Sequence, residues 1–547
     1  MSTTSYFLTI LSCVAFISNL AHSSDERAKN VIIFIADDLG YSDLSCFGNE
    51  LIQTPNIDKL AKNGLKLTRM YSMPSEAGSL AAIYTGRQPM RMGLVKGNLG
   101  WPSFWSVAQS GGIPLNEMNM AKYYDMKGQV PFLFGRWGLG SWSWSLPTNQ
   151  GFGGFYGTVM GHSPACSSDV EDFLADSDYF WLVLAELGPL IITFLILIIS
   201  SKMLSFISMK LLILLISVVC ISIGIFRIYC WMLPLNSITC KIFDNQMVKE
   251  DFYIDTTLTR QITEKAQHYI KFRKRPPFLL IISYHQPGHP AFASKNFLRK
   301  SGINKYYDSI LELDWSVGEV MNTLQDQGME NNTVIFFLSD SGPVLTHPYT
   351  NSHVKHSSKD MKLQGEKGSL REGGIRVPAI VNWPNYIEPN QETTVVTSVM
   401  DIFPTIQHLI GQQNKVQRTH MRHFDGKDLK PLFKNPNKKS DEIHKVLLHY
   451  CDTGDLSAAT VGDYKIYFVS QNISNDCSGY ILEEPLVYNI KDDPGETTSL
   501  PPSQHQDVIS RARSNSLRFE MSLDIKKRNI KSQFDQIPFP WDMWVSV

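Results

Sequence analysis

The sequence predicts an α/β protein with a large mixed, mainly parallel sheet sandwiched by helices, a smaller C-terminal antiparallel-sheet subdomain and a transmembrane helical hairpin. Three observations carry this expectation. Short apolar runs at 31–36, 277–283, 333–338 and 379–383, bounded by turn or acidic residues, alternate with helical patterns, as parallel strands with crossover helices do. After about residue 412 the pattern changes to shorter segments with Tyr, Phe and turn residues, which suits antiparallel strands. Two apolar stretches, 179–200 and 211–233, each reach the roughly 20 residues that a helix needs to cross a bilayer.

At 547 residues and 43% hydrophobic content, the chain exceeds what one core serves, and two packed lobes are expected. A net charge of -1, with Lys and Arg spread along the chain, excludes a nucleic-acid-binding role. Residues 1–23 read as a signal peptide, with an apolar region at 6–17 and small residues Ala21 and Ser23, although no Lys or Arg precedes that region. A buried N-terminal helix is the alternative, against which the hydrophilic Ser24-Asp25-Glu26-Arg27 stands. The main α/β domain then occupies 24–178 and 234–411, interrupted by the hairpin at 179–233 and followed by the C-terminal subdomain at 412–547.

Lys202 and Lys210 in the hairpin's connection fit a cytoplasmic turn, which leaves both soluble parts lumenal. Glu186 is costly inside the first span unless it lies near the interface, and a buried helical pair in a soluble core is the other reading. The chain has 8 cysteines; Cys13 leaves with the signal and Cys220 lies in the second span. Cys166 and Cys240 bracket the hairpin, and Cys451 and Cys477 are placed to close a local loop; connectivity stays open. Glycosylation triplets at Asn331-Asn332-Thr333 and Asn472-Ile473-Ser474 agree with lumenal exposure.

In such sheets ligands gather at the carboxyl ends of strands. Asp37 and Asp38 end the first predicted strand, and Asp340 and Ser341 end the third. The three acids Asp37, Asp38 and Asp340 make a hard oxygen cage suited to Ca²⁺ or Mg²⁺. Taken alone, the aspartate pair also suits helix N-capping.

Val-Ile-Ile-Phe-Ile-Ala-Asp-Asp-Leu-Gly-Tyr-Ser-Asp (31–43), Thr-Pro-Asn-Ile-Asp-Lys-Leu-Ala (54–61), Thr-Gly-Arg (85–87), Leu-Asp-Trp-Ser-Val-Gly (313–318), Glu-Gly-Gly-Ile-Arg-Val-Pro (372–378) and Met-Asp-Ile-Phe-Pro-Thr (400–405) follow one another along the chain. In this order they resemble the signatures of the sulfatase family, and the hairpin's position resembles the steryl-sulfatase branch and its arylsulfatase relatives. The resemblance implies hydrolysis of sulfate esters by a formylglycine, made from the cysteine of Cys-x-Pro-Ser-Arg, beside a divalent metal and several cations.

Counted back from Thr85-Gly86-Arg87, the cysteine position holds Glu76 and the arginine position Leu80, with Ala77-Gly78-Ser79 between. Formylglycine is therefore not expected. Another register sets Ser72-Met73-Pro74-Ser75 on the motif, but it needs four extra residues and leaves Glu76 in the arginine's place. Gly135-Arg136-Trp137-Gly138-Leu139-Gly140 resembles the family's Gly-Lys-Trp-His-Leu-Gly, keeping a cation at Arg136 and losing the histidine at Gly138. The family histidine after Tyr284 falls on Gly288, with His285 and His289 beside it; His289 is either a substitute or a solvated loop histidine. Ser341 replaces an amide ligand, and Lys367 matches the sulfate-contacting lysine.

A family site of this kind sums to two positive charges, whereas Asp37, Asp38, Asp340 and Glu76 cancel a dication, Arg136 and Lys367. Attraction for sulfate is lost, and Glu76 becomes a further candidate metal ligand and a poor nucleophile. The expected protein is a catalytically impaired or inactive homologue that keeps a Ca²⁺ site, in the membrane of the endoplasmic reticulum or secretory pathway. The alternative is an active hydrolase using Ser72, Ser75 or Ser79 as nucleophile and His289 as acid; a decaying gene copy with no selected function is a third. A sulfate ester, or an apolar small molecule arriving from the bilayer, is the ligand class implied; no protein partner is readable.

Overall fold

The computed structural model describes residues 30–94, 112–160, 217, 241–250, 255–272, 277–345, 363–411, 423–438, 443–451, 456–470 and 479–523. The predicted signal peptide and, apart from Ser217, the predicted hairpin lie outside the described residues. Among the described residues no helix is long and apolar enough to cross a membrane.

β1 (Asn30–Asp37) is the centre of the molecule, and all of its residues are buried. Its β-branched, alternating side chains feed two cores: Val31, Ile33 and Ile35 point into one, and Ile32, Phe34 and Ala36 into the other. Around it lie β2 (Phe132–Arg136), β3 (Gly154–Thr158), β4 (Leu279–Pro287), β5 (Thr333–Ser339) and β6 (Ala379–Asn382). The sheet has ten strands among the described residues, in the order Gln391–Thr393, Leu65–Leu67, β6, β5, β1, β4, β2, β3, Ile242–Asp244, Met247–Glu250. From β5 to β3 neighbours are parallel.

On one face lie α1 (Glu76–Thr85) and α4 (Ile402–Leu409); on the other lie α2 (Asp255–Phe272) and α3 (Lys305–Asp326). The faces follow from spacing. Leu258, Ile262, Ala266 and Ile270 recur every fourth residue of α2, and Ile310, Leu313, Val317, Val320 and Leu324 every third or fourth of α3.

One expectation is corrected, and two strands are added. The run at 379–383 holds a strand, β6, but it is antiparallel to β5, because the segment leading into it already lies at the carboxyl end of β5, Gly342 N donating to Gly374 O at 2.8 Å, and β6 starts from that end. β2 and β3 had no strand signal, since glycine interrupts them. Those glycines have a tertiary cause: a Cβ at Gly135 would lie 1.8 Å from Ser283 O, and one at Gly157 1.8 Å from Gly135 O.

The C-terminal part is the expected small antiparallel sheet: β7 (Leu447–Tyr450), β8 (Leu456–Val461), β9 (Tyr464–Val469) and β10 (Ile481–Asn489), in that order. α5 (Gln506–Ser522) covers it, Val508, Ile509 and Ala512 meeting Ala459, Val461, Ile466 and Val487. Cys451 is disulfide-bonded, as the expected pairing requires of it; Cys477, Cys166 and Cys240 lie outside the described residues. Asn331 of the first glycosylation triplet is exposed.

A buried ion cluster fastens this sheet to the helix Glu372–Ile375 and to the strand Arg376–Val377 of a separate three-stranded sheet. Lys465 Nζ, on β9, lies 2.8 Å from Glu372 Oε1 and 3.6 Å from Glu496 Oε1. Glu372 N donates to Glu496 Oε2 at 2.9 Å, and Arg376 Nη1 lies 3.5 Å from Glu372. Burial opposes the charge on Glu372, but Lys465 and Arg376 hold its carboxyl below the usual range. The Lys465→Met variant removes the cation that Glu372 and Glu496 share, leaving only Arg376 beside Glu372, and is expected to lose about 3–5 kcal/mol. Urea unfolding followed by tryptophan fluorescence measures this, and Lys465→Met/Glu372→Gln is expected to recover part of the loss. An unchanged midpoint in the single variant refutes the fastening role.

Candidate active site

Parallel pairing brings the cage together. Ala36 is in register with Ser339, so the residues after β1 and β5 emerge side by side. Asp340 N donates to Ala36 O at 3.1 Å, and Asp38 N donates to Asp340 Oδ1 at 3.2 Å. Asp38 takes the left-handed conformation, φ 57°, which aspartate tolerates better than most residues. Leu39 N donates to Ser339 Oγ at 2.9 Å, and the Tyr306 hydroxyl donates to Asp38 O at 3.1 Å, holding the turn from both sides. Asp37, Asp38 and Asp340 then each offer an oxygen within 4.8 Å of the others.

Arg136, at the end of β2, is fully buried and reaches across the end of β4 to this cage. Its Nη1 lies 3.2 Å from Asp37 Oδ1 and also meets Glu76 Oε1, while Nη2 donates to Asp340 Oδ2. Lys367 approaches from the loop after β5, tied by Lys367 N to Pro343 O at 2.9 Å and Gly368 N to Pro74 O at 3.1 Å. Its Nζ lies 2.7 Å from Asp38 Oδ1 and 3.7 Å from Glu76 Oε2. Glu76 is the first residue of α1, whose N-terminus is capped by Ser75 Oγ accepting from Gly78 N.

Burial pushes the Asp37 carboxyl well above its ordinary range, Arg136 opposing and Asp38, Asp340 and Glu76 adding to the rise. Asp340 is raised for the same reasons, burial first. Burial works against the charge of Arg136 and Lys367, but the carboxylates hold both firmly protonated.

The residues named from the sequence separate into groups. Asp37, Asp38, Asp340, Arg136, Lys367 and Glu76 converge. Ser341 Oγ donates to Asp38 Oδ1 at 2.7 Å. Glu76 is not in the group of mutually close ligand atoms, and neither is His289, which follows Gly288, itself bonded through N to Asp37 O at 2.9 Å. His285 is buried with Nε2 2.6 Å from Thr158 Oγ1. The candidate hydroxyls bond to backbone: Ser72 Oγ to Met73 O and Ile375 O, Ser79 Oγ to Met73 N and O, and Ser75 Oγ to Gly78 N.

Tyr306 and Ser339 support the cage and were not legible as site residues, since neither differs in sequence from an ordinary core position. Conversely, several signature acids build the fold. Asp314 accepts from Asn56 N and Ile57 N at the start of the helix Pro55–Lys62, Asp43 from Gly40 N and Tyr306, and Asp401 forms a capping box with Ser398.

The donor set fits a dication. Four carboxylates face Arg136 and Lys367, an excess of two negative charges, and the buried Asp37 Oδ1 accepts no hydrogen bond.

The chain belongs to the sulfatase family, whose description "Sulfatase" matches residues 29–412, with "C-terminal region of aryl-sulfatase" matching 442–546. Human steryl-sulfatase is 30% identical over 96% of this chain and 93% of its own, and human arylsulfatase H is 29% identical over 86% and 87%. The fold is similar to that of PsFucS1 sulfatase from Pseudoalteromonas sp., with TM-score 0.69 and 23% identity over 96% of this chain and 94% of the other.

Above the ordinary carboxylate value of 3.8, the folded protein holds protons on Asp37 and Asp340 that the unfolded chain releases. Without metal, stability attributable to this pair therefore falls as pH rises through that window. Urea midpoints in chelator between about pH 4 and about pH 7 are expected to drop more for the unmodified protein than for Asp37→Asn. Parallel curves refute the coupling.

Proposed function

We propose that this sulfatase-family protein keeps a divalent-cation cage, most suited to Ca²⁺, but no longer hydrolyses sulfate esters. The observation that carries this is Glu76. Where the resemblance calls for the cysteine that becomes formylglycine, the chain has a carboxylate that pairs with Arg136 and approaches Lys367 at 3.7 Å.

Asp37, Asp38 and Asp340 would hold the ion, with Ser341 Oγ orienting Asp38. When bound, such an ion supplies Lewis-acid polarisation of an ester oxygen. Glu76 presents a negative charge to an anionic ester, and it is a weak nucleophile toward one. Ser72 and Ser79 are buried and, like Ser75, committed to backbone partners, which disfavours a rewired hydrolase relying on them. His289 stays the candidate acid of that second reading.

The protein's setting follows from the expected signal peptide and the 179–233 hairpin: a membrane of the endoplasmic reticulum or secretory pathway, with the regions 24–178 and 234–547 lumenal. With Glu76 set against an anionic ester, the retained scaffold is better suited to binding an apolar molecule from the bilayer than to binding or converting a sulfate ester.

An aryl sulfate and a steryl sulfate, incubated with the purified full chain with and without Ca²⁺, are expected to be hydrolysed no faster than with Asp37→Ala. Turnover by the unmodified protein above that control overturns the inactive reading. Calorimetric titration with Ca²⁺ is expected to give saturable binding that Asp37→Ala weakens at least about tenfold, a charged ligand being worth more than one tenfold step. No binding removes the cage from the proposal.

A further inference from the structure

Arg136 and Lys367 approach the cage from different sides, and a single carboxylate spans the gap between them. Glu76 Oε1 meets Arg136 Nη1, and Glu76 Oε2 lies 3.7 Å from Lys367 Nζ. One oxygen faces each cation, an arrangement that two oxygens of a free tetrahedral oxyanion also satisfy. The carboxylate starts from the first residue of α1, so the partial positive charge of that helix end adds to the attraction.

Three features say that this space is filled by fitting and not by chance collapse. Arg136 is fully buried and its Nε meets no acceptor in hydrogen-bond geometry, so it has donor capacity that Glu76 does not use. Leu80, one turn beyond Glu76 on the same face of α1, is fully buried. Gly138 has φ 67°, and a Cβ there would lie 2.6 Å from Leu80 Cδ1 and 3.2 Å from Glu76 Oε1. The side chains at 76 and 80 thus occupy room that any residue larger than glycine at 138 would need. The three positions are sterically coupled.

We propose that Glu76 is a tethered occupant of an oxyanion subsite formed by Arg136 and Lys367, and that removing its carboxylate opens that subsite to free inorganic sulfate. The location rests on the reading of the cage given above, but the claim concerns binding, not turnover. With Glu76 in place and a dication bound, the local charges cancel. Without Glu76 one positive charge is left over to attract the anion. Arg136 and Lys367 keep their other partners, Asp37, Asp340 and Asp38, so the subsite survives the loss of Glu76.

The test is isothermal titration of the purified full chain with sodium sulfate at constant ionic strength in chloride, with Ca²⁺ present and again in chelator. The unmodified protein is expected to give no saturable heat. Glu76→Ala is expected to bind one sulfate at least about tenfold more tightly, because a like charge within a few ångströms has been removed. Glu76→Ala/Lys367→Met is expected to lose that gain, which separates a site from a general salt effect. Equal affinity in the unmodified protein and Glu76→Ala overturns the proposal, as does a cooperatively unfolding Glu76→Ala that binds no sulfate. Should Glu76→Ala fail to fold, Glu76→Gln, which removes the charge at nearly constant volume, carries the same two criteria with a smaller gain. Aryl sulfate turnover measured on the same samples keeps the outcomes apart: hydrolysis by the unmodified protein overturns the inactive reading, whereas the sulfate affinities alone decide the tethered occupant.

Discussion

Four carboxylates brought together at the edge of a buried sheet would repel one another strongly, and the site exists because Arg136 is planted among them. Its guanidinium forks between Asp37 and Glu76 on one nitrogen and Asp340 on the other, while Lys367 answers Asp38. Arginine suits this position because its planar donors reach several acceptors at once and its charge survives burial. The elevation of Asp37 and Asp340 above the usual carboxylate range is the residue of repulsion and burial that this cation does not remove.

Everything that delivers these groups is backbone geometry. The in-register neighbours β1 and β5 bring Asp37, Asp38 and Asp340 to one point, and β2 lies close enough to β4 for Arg136 to reach over it. That closeness depends on Gly135 and Gly157, where no side chain fits between adjacent strands. β6 starts beside the carboxyl end of β5 and runs back along it, and Lys367 lies in the described segment before β6, tied to Pro343 just after β5. Farther away, Lys465, Glu372, Glu496 and Arg376 repeat the same theme of buried charge satisfied by geometry, there to join two sheets.

Much of this was legible in the chain. Apolar runs rich in β-branched residues announced β1, β4 and β5, because strands buried on both faces need such side chains. The aspartates at strand ends and the cations Arg136 and Lys367 were legible from motif resemblance. What was hidden has identifiable causes. β2 and β3 carry glycine where neighbouring backbone approaches, which erases the strand signal. Tyr306 and Ser339 hold the cage through contacts with residues far away in the chain. Asp314 and Asp401 lie in signatures but serve as helix caps, a distinction no motif draws.

The sequence by itself determined the family, the strand ends at which acids collect and the presence of Glu76 and Leu80 where cysteine and arginine were expected. It could count the charges but not pair them. Only the tertiary structure decided that Glu76 faces Arg136 and Lys367 instead of joining the aspartates, and that Leu80 and Gly138 are fitted to each other. The reason is physical: charge is a property of a residue, whereas the partner that neutralises it and the space that admits it are properties of several chain segments meeting at once.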